Sequence, residues 1–262
     1  MVKKLSVCTH FYASLDAGEK TKKCLQAQVD AWNSLSETLK TYIEFIIIDD
    51  CSDILLPVDF SNLPVRYFRI TSDIPWNLAG SRNLAALKVR SKWALFHDID
   101  QVFDAEKLEK LIYNVIPQLD ENDPKKLYKF PYVFGQKEMP PHPSIILFNI
   151  NYFWAMGGYD EDFCGNYGYE EVWFNHVWVK KFGPATVIDL PPLELESKTE
   201  GEIGASSTRH KGQVINYQKF LNKFNEFELN KYEVNFNEKI RFSYIEIPVC
   251  DQNRFLHRHT IE

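Results

Sequence analysis

The run Ile43-Glu44-Phe45-Ile46-Ile47-Ile48 ends abruptly in Asp49-Asp50. It is rich in β-branched residues, too short for a helix, and apolar on both alternating faces. Such a segment is stable only as a strand covered on both sides, which means a parallel strand inside an α/β sheet. The neighbouring segments agree. Leu5 to Thr9, Val65 to Ile70 and Lys92 to Phe96 read as further strands. Between them, Lys20 to Lys40, Asn77 to Arg90 and Ala105 to Leu119 read as helices, the first with Leu25, Val29, Trp32, Leu35 and Leu39 at helical spacing. Strands alternating with helices imply right-handed βαβ units and a mostly parallel central sheet flanked by helices. Ligands of such sheets bind beyond the carboxyl ends of the strands, and acidic pairs fall at two of those ends, Asp49-Asp50 and Asp98-Ile99-Asp100.

The second half is less regular. Leu127 to Phe134, Ser144 to Ile150 and Ala185 to Leu190 read as strands, and a Gly- and aromatic-rich loop from Gly157 leads into a helix ending near Phe182. Glu194 to Gly212 is polar and rich in Gly and Ser, the best candidate for a mobile loop. No Pro/Gly linker divides the 262 residues, so one domain is expected, with a first half (1–125), a second half (126–215) and a C-terminal extension (216–262). The net charge of −6 argues against nucleic-acid binding by bulk positive charge. Five scattered cysteines without a CxxC pair point to a reducing compartment. No 18-residue apolar run exists, so neither a signal peptide nor a membrane segment is expected, and the location expected is cytoplasmic.

Several residue groups have a chemical as well as a plain structural reading. Asp50, in Asp49-Asp50-Cys51-Ser52-Asp53, is either a turn cap or an acceptor for a nucleobase or ribose. Arg82, on the first turns of the helix opened by Gly80-Ser81, is either a solvated charge or a partner for a diphosphate. Asp98 and Asp100 are either a polar turn or carboxylate ligands of Mg²⁺ or Mn²⁺, with Asp100 on the ion and Asp98 facing a ribose or supporting the metal through water. Glu170 and Glu171 either complement a helix dipole or bind and deprotonate a hydroxyl, beside aromatic faces suited to sugar rings. His210 lies in the polar loop, where an isolated imidazole is ordinarily solvated.

Taken in order, Asp49 to Asp53, Gly80 to Asn83, Phe96 to Asp100, Gly157 to Phe163, Gly168-Tyr169-Glu170-Glu171 and Arg209-His210 resemble the motifs of GT-A glycosyltransferases. The likeness is strongest to the metal-dependent inverting β-1,4-galactosyltransferase type and extends to the family 2 group. It implies a GT-A, Rossmann-like α/β fold with an acceptor-side subregion. It also implies hexosyl transfer from a nucleotide diphosphate sugar, UDP-linked by preference and GDP-linked as a second choice, to a carbohydrate hydroxyl. By position, Asp50, Arg82 and Asp98 would serve the donor, Asp100 and His210 (with Asp98) would ligate Mn²⁺ or Mg²⁺, Glu170 would hold the acceptor and Glu171 would be the base. Tyr167, Gly168 and Tyr169 would line the sugar site. The family's Gly-Gly-Glu-Asp is Gly-Tyr-Glu-Glu here, so the base is Glu rather than Asp and a Tyr side chain enters the loop. A sugar-phosphate nucleotidyltransferase is the alternative enzyme, but Cys8 to Tyr12 stands where a glycine-rich basic loop belongs. A non-catalytic carbohydrate-binding module is the other alternative and leaves the acidic pairs unused.

Overall fold

The structure, a computed structural model, describes residues 2–122, 124–134, 136–195, 213–233 and 238–248. Its centre is an eight-stranded sheet. β1 (Leu5–Phe11), β2 (Ile43–Asp49), β3 (Val65–Ile70) and β4 (Trp93–Phe96) run parallel in the order β3-β2-β1-β4. Beyond β4 lie β8 (Ile146–Asn149), antiparallel to it, then β5 (Tyr128–Lys129) and β9 (Thr186–Val187). β11 (Tyr244–Ile247) adds an antiparallel edge strand to β3, so the C-terminal region completes the main sheet. A second, three-stranded sheet joins β6 (Tyr132–Phe134), β7 (Lys137–Met139) and β10 (Leu193–Leu195).

The two-sided burial expected of β2 is observed. Phe45 and Ile47 pack into one core with Leu25, Val29 and Trp32 of α1 (Gly18–Asn33) and Leu108 of α4 (Ala105–Lys110). Ile46 and Ile48 pack into the other with Leu84 and Ala85 of α3 (Leu78–Lys88), Phe174 and Trp178 of α7 (Glu170–Phe182) and Phe227 of α8 (Val214–Leu229). Each large side chain so buried contributes about 1.5–3 kcal/mol, which fixes the register of the strand and with it the position of its acidic end.

Three expected elements are interrupted, each for a local reason. The helix expected from Lys20 to Lys40 stops at Asn33. The Ser36 side chain accepts from the Leu39 amide and starts α2 (Glu37–Tyr42) anew. The helix expected through Leu119 contains a π-helical turn, Leu111–Val115, before α5 (Ile116–Asn122). Pro117 lies just beyond that turn and has no N–H for the regular ladder. The strand expected from Leu127 to Phe134 is split at Pro131 into β5 and β6, which belong to different sheets. α6 (Ile150–Ala155) follows β8 directly and leads into the Gly157-Gly158 turn.

Candidate active site

The parallel strands end on one edge, and the two acidic pairs meet there in unequal roles. Asp49 is fully buried. It accepts from the Ser52 amide (2.8 Å), the Tyr67 hydroxyl (3.0 Å) and Arg69 Nη1 (2.6 Å), so it holds the strand end together. Asp50 follows at the end of β2, itself buried. Its amide donates to Phe11 O (2.8 Å), and its Oδ1 accepts from Asn77 Nδ2 (3.1 Å) just before α3. Cys51, at φ 56°, turns the chain left-handed immediately afterwards.

The Asp98-Ile99-Asp100 turn is held from beneath by two residues to which the sequence reading gave no part. His97, 1% exposed, places Nδ1 3.0 Å from Asp98 O and 2.9 Å from Gln101 O. Carbonyls only accept, so Nδ1 carries the proton. Burial pushes the imidazole down to about 4, so this neutral form persists across ordinary pH. Gln28, from α1, donates to Ile99 O (2.9 Å) and Gln101 O (2.8 Å). Three carbonyl oxygens of the turn are thus tied to the core, while both carboxylates stay partly open to solvent.

Arg82 joins the two halves of the edge. Expected at the diphosphate, it is instead 2% exposed. Its guanidinium donates to Tyr159 OH (2.8 Å) and Asp98 Oδ1 (3.0 Å), with Nη1 2.9 Å from Glu171 Oε1. Its charge is therefore shared between Asp98 and Glu171. Burial opposes that charge, but Tyr159, Glu171 and Asp98 outweigh it, and Arg82 is held more firmly protonated than usual. Glu171 keeps 17% of its side chain exposed and Asp98 keeps 25%. Lys129 on β5 is also buried against this group. Desolvation brings its ammonium down to about 8, opposed by Glu171, and Nζ donates to Pro143 O (3.0 Å). That contact anchors the turn carrying His142, whose Nδ1 lies 3.8 Å from Asp98 Oδ2.

Glu170 and Glu171, adjacent at the start of α7, occupy opposite environments. Glu170 is 3% exposed, and its Oε1 accepts from Trp76 Nε1 (2.7 Å). Burial raises its carboxyl to about 7, with Trp76 pulling the other way and Glu171 adding to the rise. Tyr167 meets the Trp76 ring edge to face at 4.5 Å. Gly168 has φ 90° and Tyr169 φ 71°, so the loop enters the helix through two left-handed residues. Tyr169, expected to shape the sugar site, packs onto Tyr217 (5.3 Å) and Phe220 (5.5 Å) of α8. The loop itself is sewn down by Asn216, fully buried on α8. Its Nδ2 donates to Phe163 O (2.9 Å), Asn166 O (2.7 Å) and Gly168 O (2.9 Å). Asn216→Leu keeps the volume but leaves these carbonyls unmatched. It should cost about 2–3 kcal/mol in urea unfolding and open the 163–168 loop to proteolysis.

The acidic motif Gly157 to Phe163 is a structural anchor. Asn83 donates to Tyr159 O and Glu161 Oε1 and accepts from the Tyr159 amide. Buried Glu161 also accepts from the Ile240 and Arg241 amides, while Asp160 and Asp162 each pair with Lys223 at 2.8 Å. Gly80, near the start of α3, is approached from within the protein. A Cβ there would meet the Asn77 side chain and lie 2.6 Å from the Phe242 ring. The C-terminal segment thus buttresses the start of α3.

Among the described residues no three carboxylate, imidazole or thiol groups gather as a metal site, and His210 lies outside those residues. Asp98 and Asp100 nevertheless offer hard oxygen donors one residue apart on a fixed turn. Mg²⁺ and Mn²⁺ in phosphate-handling sites are commonly held by one or two carboxylates with the substrate's phosphates completing the shell, so the donor set fits.

A mostly parallel sheet with a carboxylate pair after β4 and a second at the start of α7 is the arrangement that the sequence resemblance to GT-A glycosyltransferases implies. The comparisons agree: residues 23–122, from α1 through α5, match the model of Glycosyl transferase family 2. An "Uncharacterized glycosyltransferase" of Haemophilus influenzae is 36% identical over 80 residues, which is 30% of this chain and 26% of the relative. The TarS 1–349 structure of S. aureus in complex with UDP-GlcNAc superimposes with a TM-score of 0.60 over 98% of this chain and 71% of that one, at 14% identity. The UDP complex of the same protein gives 0.56 over 72% of this chain and 59% of that one, also at 14% identity. At such identity the likeness to TarS shows the fold, and the chain spans about a quarter of its curated relative. Of the two likenesses read from the sequence, these comparisons bear out the family 2 one.

Proposed function

We propose that the chain is a glycosyltransferase that moves a sugar from a nucleotide diphosphate sugar, UDP-linked by preference, to a carbohydrate hydroxyl with inversion. The observation that carries this is the Arg82 bridge. One buried guanidinium holds a carboxylate of the Asp98–Asp100 turn (Asp98, 3.0 Å) and one at the start of α7 (Glu171, 2.9 Å), which supports reading the two as donor-side and acceptor-side groups of one site. UDP-GlcNAc on TarS, a protein of the same fold, supports a nucleotide-sugar donor.

In this reading Asp50 accepts from the base or ribose, and Asp98 and Asp100 would hold Mg²⁺ or Mn²⁺, with His210 as a further candidate ligand. The bound cation would neutralise charge on the diphosphate. Glu170 orients the acceptor hydroxyl. Glu171 takes its proton as the oxygen attacks the anomeric carbon and the nucleoside diphosphate leaves from the opposite face. Arg82, 2.9 Å from Glu171 Oε1, orients that carboxylate for the task. Tyr167 and Gly168 flank the acceptor. We further read residues 1–125 as the donor half and 126–215 as the acceptor half of one catalytic unit, which the extension 216–262 braces. Among the described residues no helix is long and apolar enough to cross a membrane.

Incubation with UDP- and GDP-hexoses and Mg²⁺ or Mn²⁺ should release nucleoside diphosphate, and NMR of the product should show the inverted anomer. Glu171→Gln should bind donor normally and lose about 10²–10⁴-fold in transfer. Loss confined to Glu170→Gln would exchange the two roles. Pyrophosphate release from a nucleoside triphosphate would instead favour nucleotidyl transfer.

A further inference from the structure

Trp76 carries the tie between the nucleotide side and Glu170, and nothing in the sequence motifs assigns it a role. It sits directly before Asn77, whose Nδ2 donates to Asp50 Oδ1 (3.1 Å), and directly after Pro75. Its backbone is left-handed, at φ 51°, a conformation that costs a bulky residue energy and persists only where the surroundings impose it. Those surroundings belong to the other half of the molecule. Trp76 O accepts from the Gly165 amide (3.2 Å), the indole meets Tyr167 edge to face at 4.5 Å, and Nε1 donates to Glu170 Oε1 (2.7 Å). The other oxygen of Glu170, Oε2, is buried without a hydrogen-bond partner, so the indole N–H is the contact that sets the orientation of this carboxyl.

We propose that Trp76 is a positioning residue that couples occupancy of the Asp50–Asn77 side by a nucleotide to the orientation of Glu170. The inference rests on reading Asp50 as a nucleotide contact and Glu170 as an acceptor contact. A base or ribose at Asp50 competes for the oxygen that Asn77 now holds. A shift of Asn77 acts on the strained peptide of Trp76, and the indole carries the movement to Glu170. Coupling of this kind is reciprocal: whatever nucleotide does to Glu170, a change at Glu170 must do to nucleotide affinity.

The chain has six tryptophans, so labelling with 5-fluorotryptophan gives a resolvable ¹⁹F spectrum. The Trp76 resonance is the one lost in Trp76→Phe, and the five that remain report whether that variant is folded. Titration with UDP and Mg²⁺ should move the Trp76 resonance over the concentration range in which calorimetry records binding. Glu170→Ala should change UDP affinity about fivefold with Trp76 present and leave it unchanged in the Trp76→Phe background, as a pairwise coupling of ordinary size requires. Binding of UDP with an unmoved Trp76 resonance, or with additive effects of the two substitutions, overturns the coupling while leaving the donor site standing. Absence of any heat or spectral change with both UDP and GDP overturns the donor reading and the coupling with it.

Discussion

Arg82→Met is expected to cost about 3–5 kcal/mol of stability, because it strips the cation from carboxylates that remain largely buried. Asp98 and Glu171 keep only 25% and 17% of their side chains exposed, and the Tyr159 hydroxyl loses its donor at the same time. Methionine restores the volume against the Phe96 and Tyr159 rings, which lie 5.8 and 5.5 Å from the guanidinium, so the loss is electrostatic and not a cavity. Arg82→Lys should recover little of it, since one ammonium cannot reach three partners arranged around a planar fork. Urea unfolding gives the stability change. Adding Asp98→Asn to Arg82→Met should return part of it, because the stranded charge is then gone. Transfer should fall by about 10³-fold or more in either Arg82 variant that folds, with both carboxylates released together. An Arg82→Met chain within about 1 kcal/mol of the parent would remove the buried bridge as an organising feature.

Glu170→Gln should do the opposite to stability and the same to function. The Glu170 carboxyl sits at about 7 in the folded chain against 4.5 in an exposed one, chiefly through burial. Between those values the folded chain holds a proton that the unfolded chain has released. The proton's contribution is fully present below 4.5, is lost as pH rises toward 7, and is absent above it, at a cost of about 3 kcal/mol. Glutamine stays neutral and still offers an oxygen to Trp76, so the variant escapes that cost. Its advantage in urea unfolding should therefore be near zero at pH 4.5 and approach about 3 kcal/mol at pH 8. Transfer should drop by about tenfold or more, the price of losing an ionisable contact to the acceptor. A residue whose removal stabilises the fold while impairing turnover is retained for function. A pH-independent stability difference would place Glu170 among the structural carboxylates with Asp49.

The fold was largely legible because burial leaves a local mark. Ile43 to Ile48 must be covered on both faces, and the stripe of Leu25, Val29 and Trp32 must face a sheet, whatever lies elsewhere in the chain. Even Gln28 was readable in principle, since it falls on that stripe as a polar residue where an apolar one is expected, and its amide holds the Asp98–Asp100 turn. Trp76 and Asn216 gave no such sign. Their partners are 94 residues away at Glu170 and 48 to 53 residues away in the aromatic loop, and no periodicity encodes a contact of that kind.

The sequence by itself determined the α/β sheet, its acidic strand ends and the carboxylate pair that opens α7, because strand burial and helix starts depend on neighbours a few residues away. Only the tertiary structure decided what each acid does. Asp49 and Asp50 are adjacent in sequence, as are Glu170 and Glu171, yet Asp49 is tied to Tyr67 and Arg69 while Asp50 meets Asn77, and Glu170 is bound by Trp76 while Glu171 pairs with Arg82. Desolvation and the reach of Arg82, Arg69 and Trp76 set that difference, and those are properties of position in space.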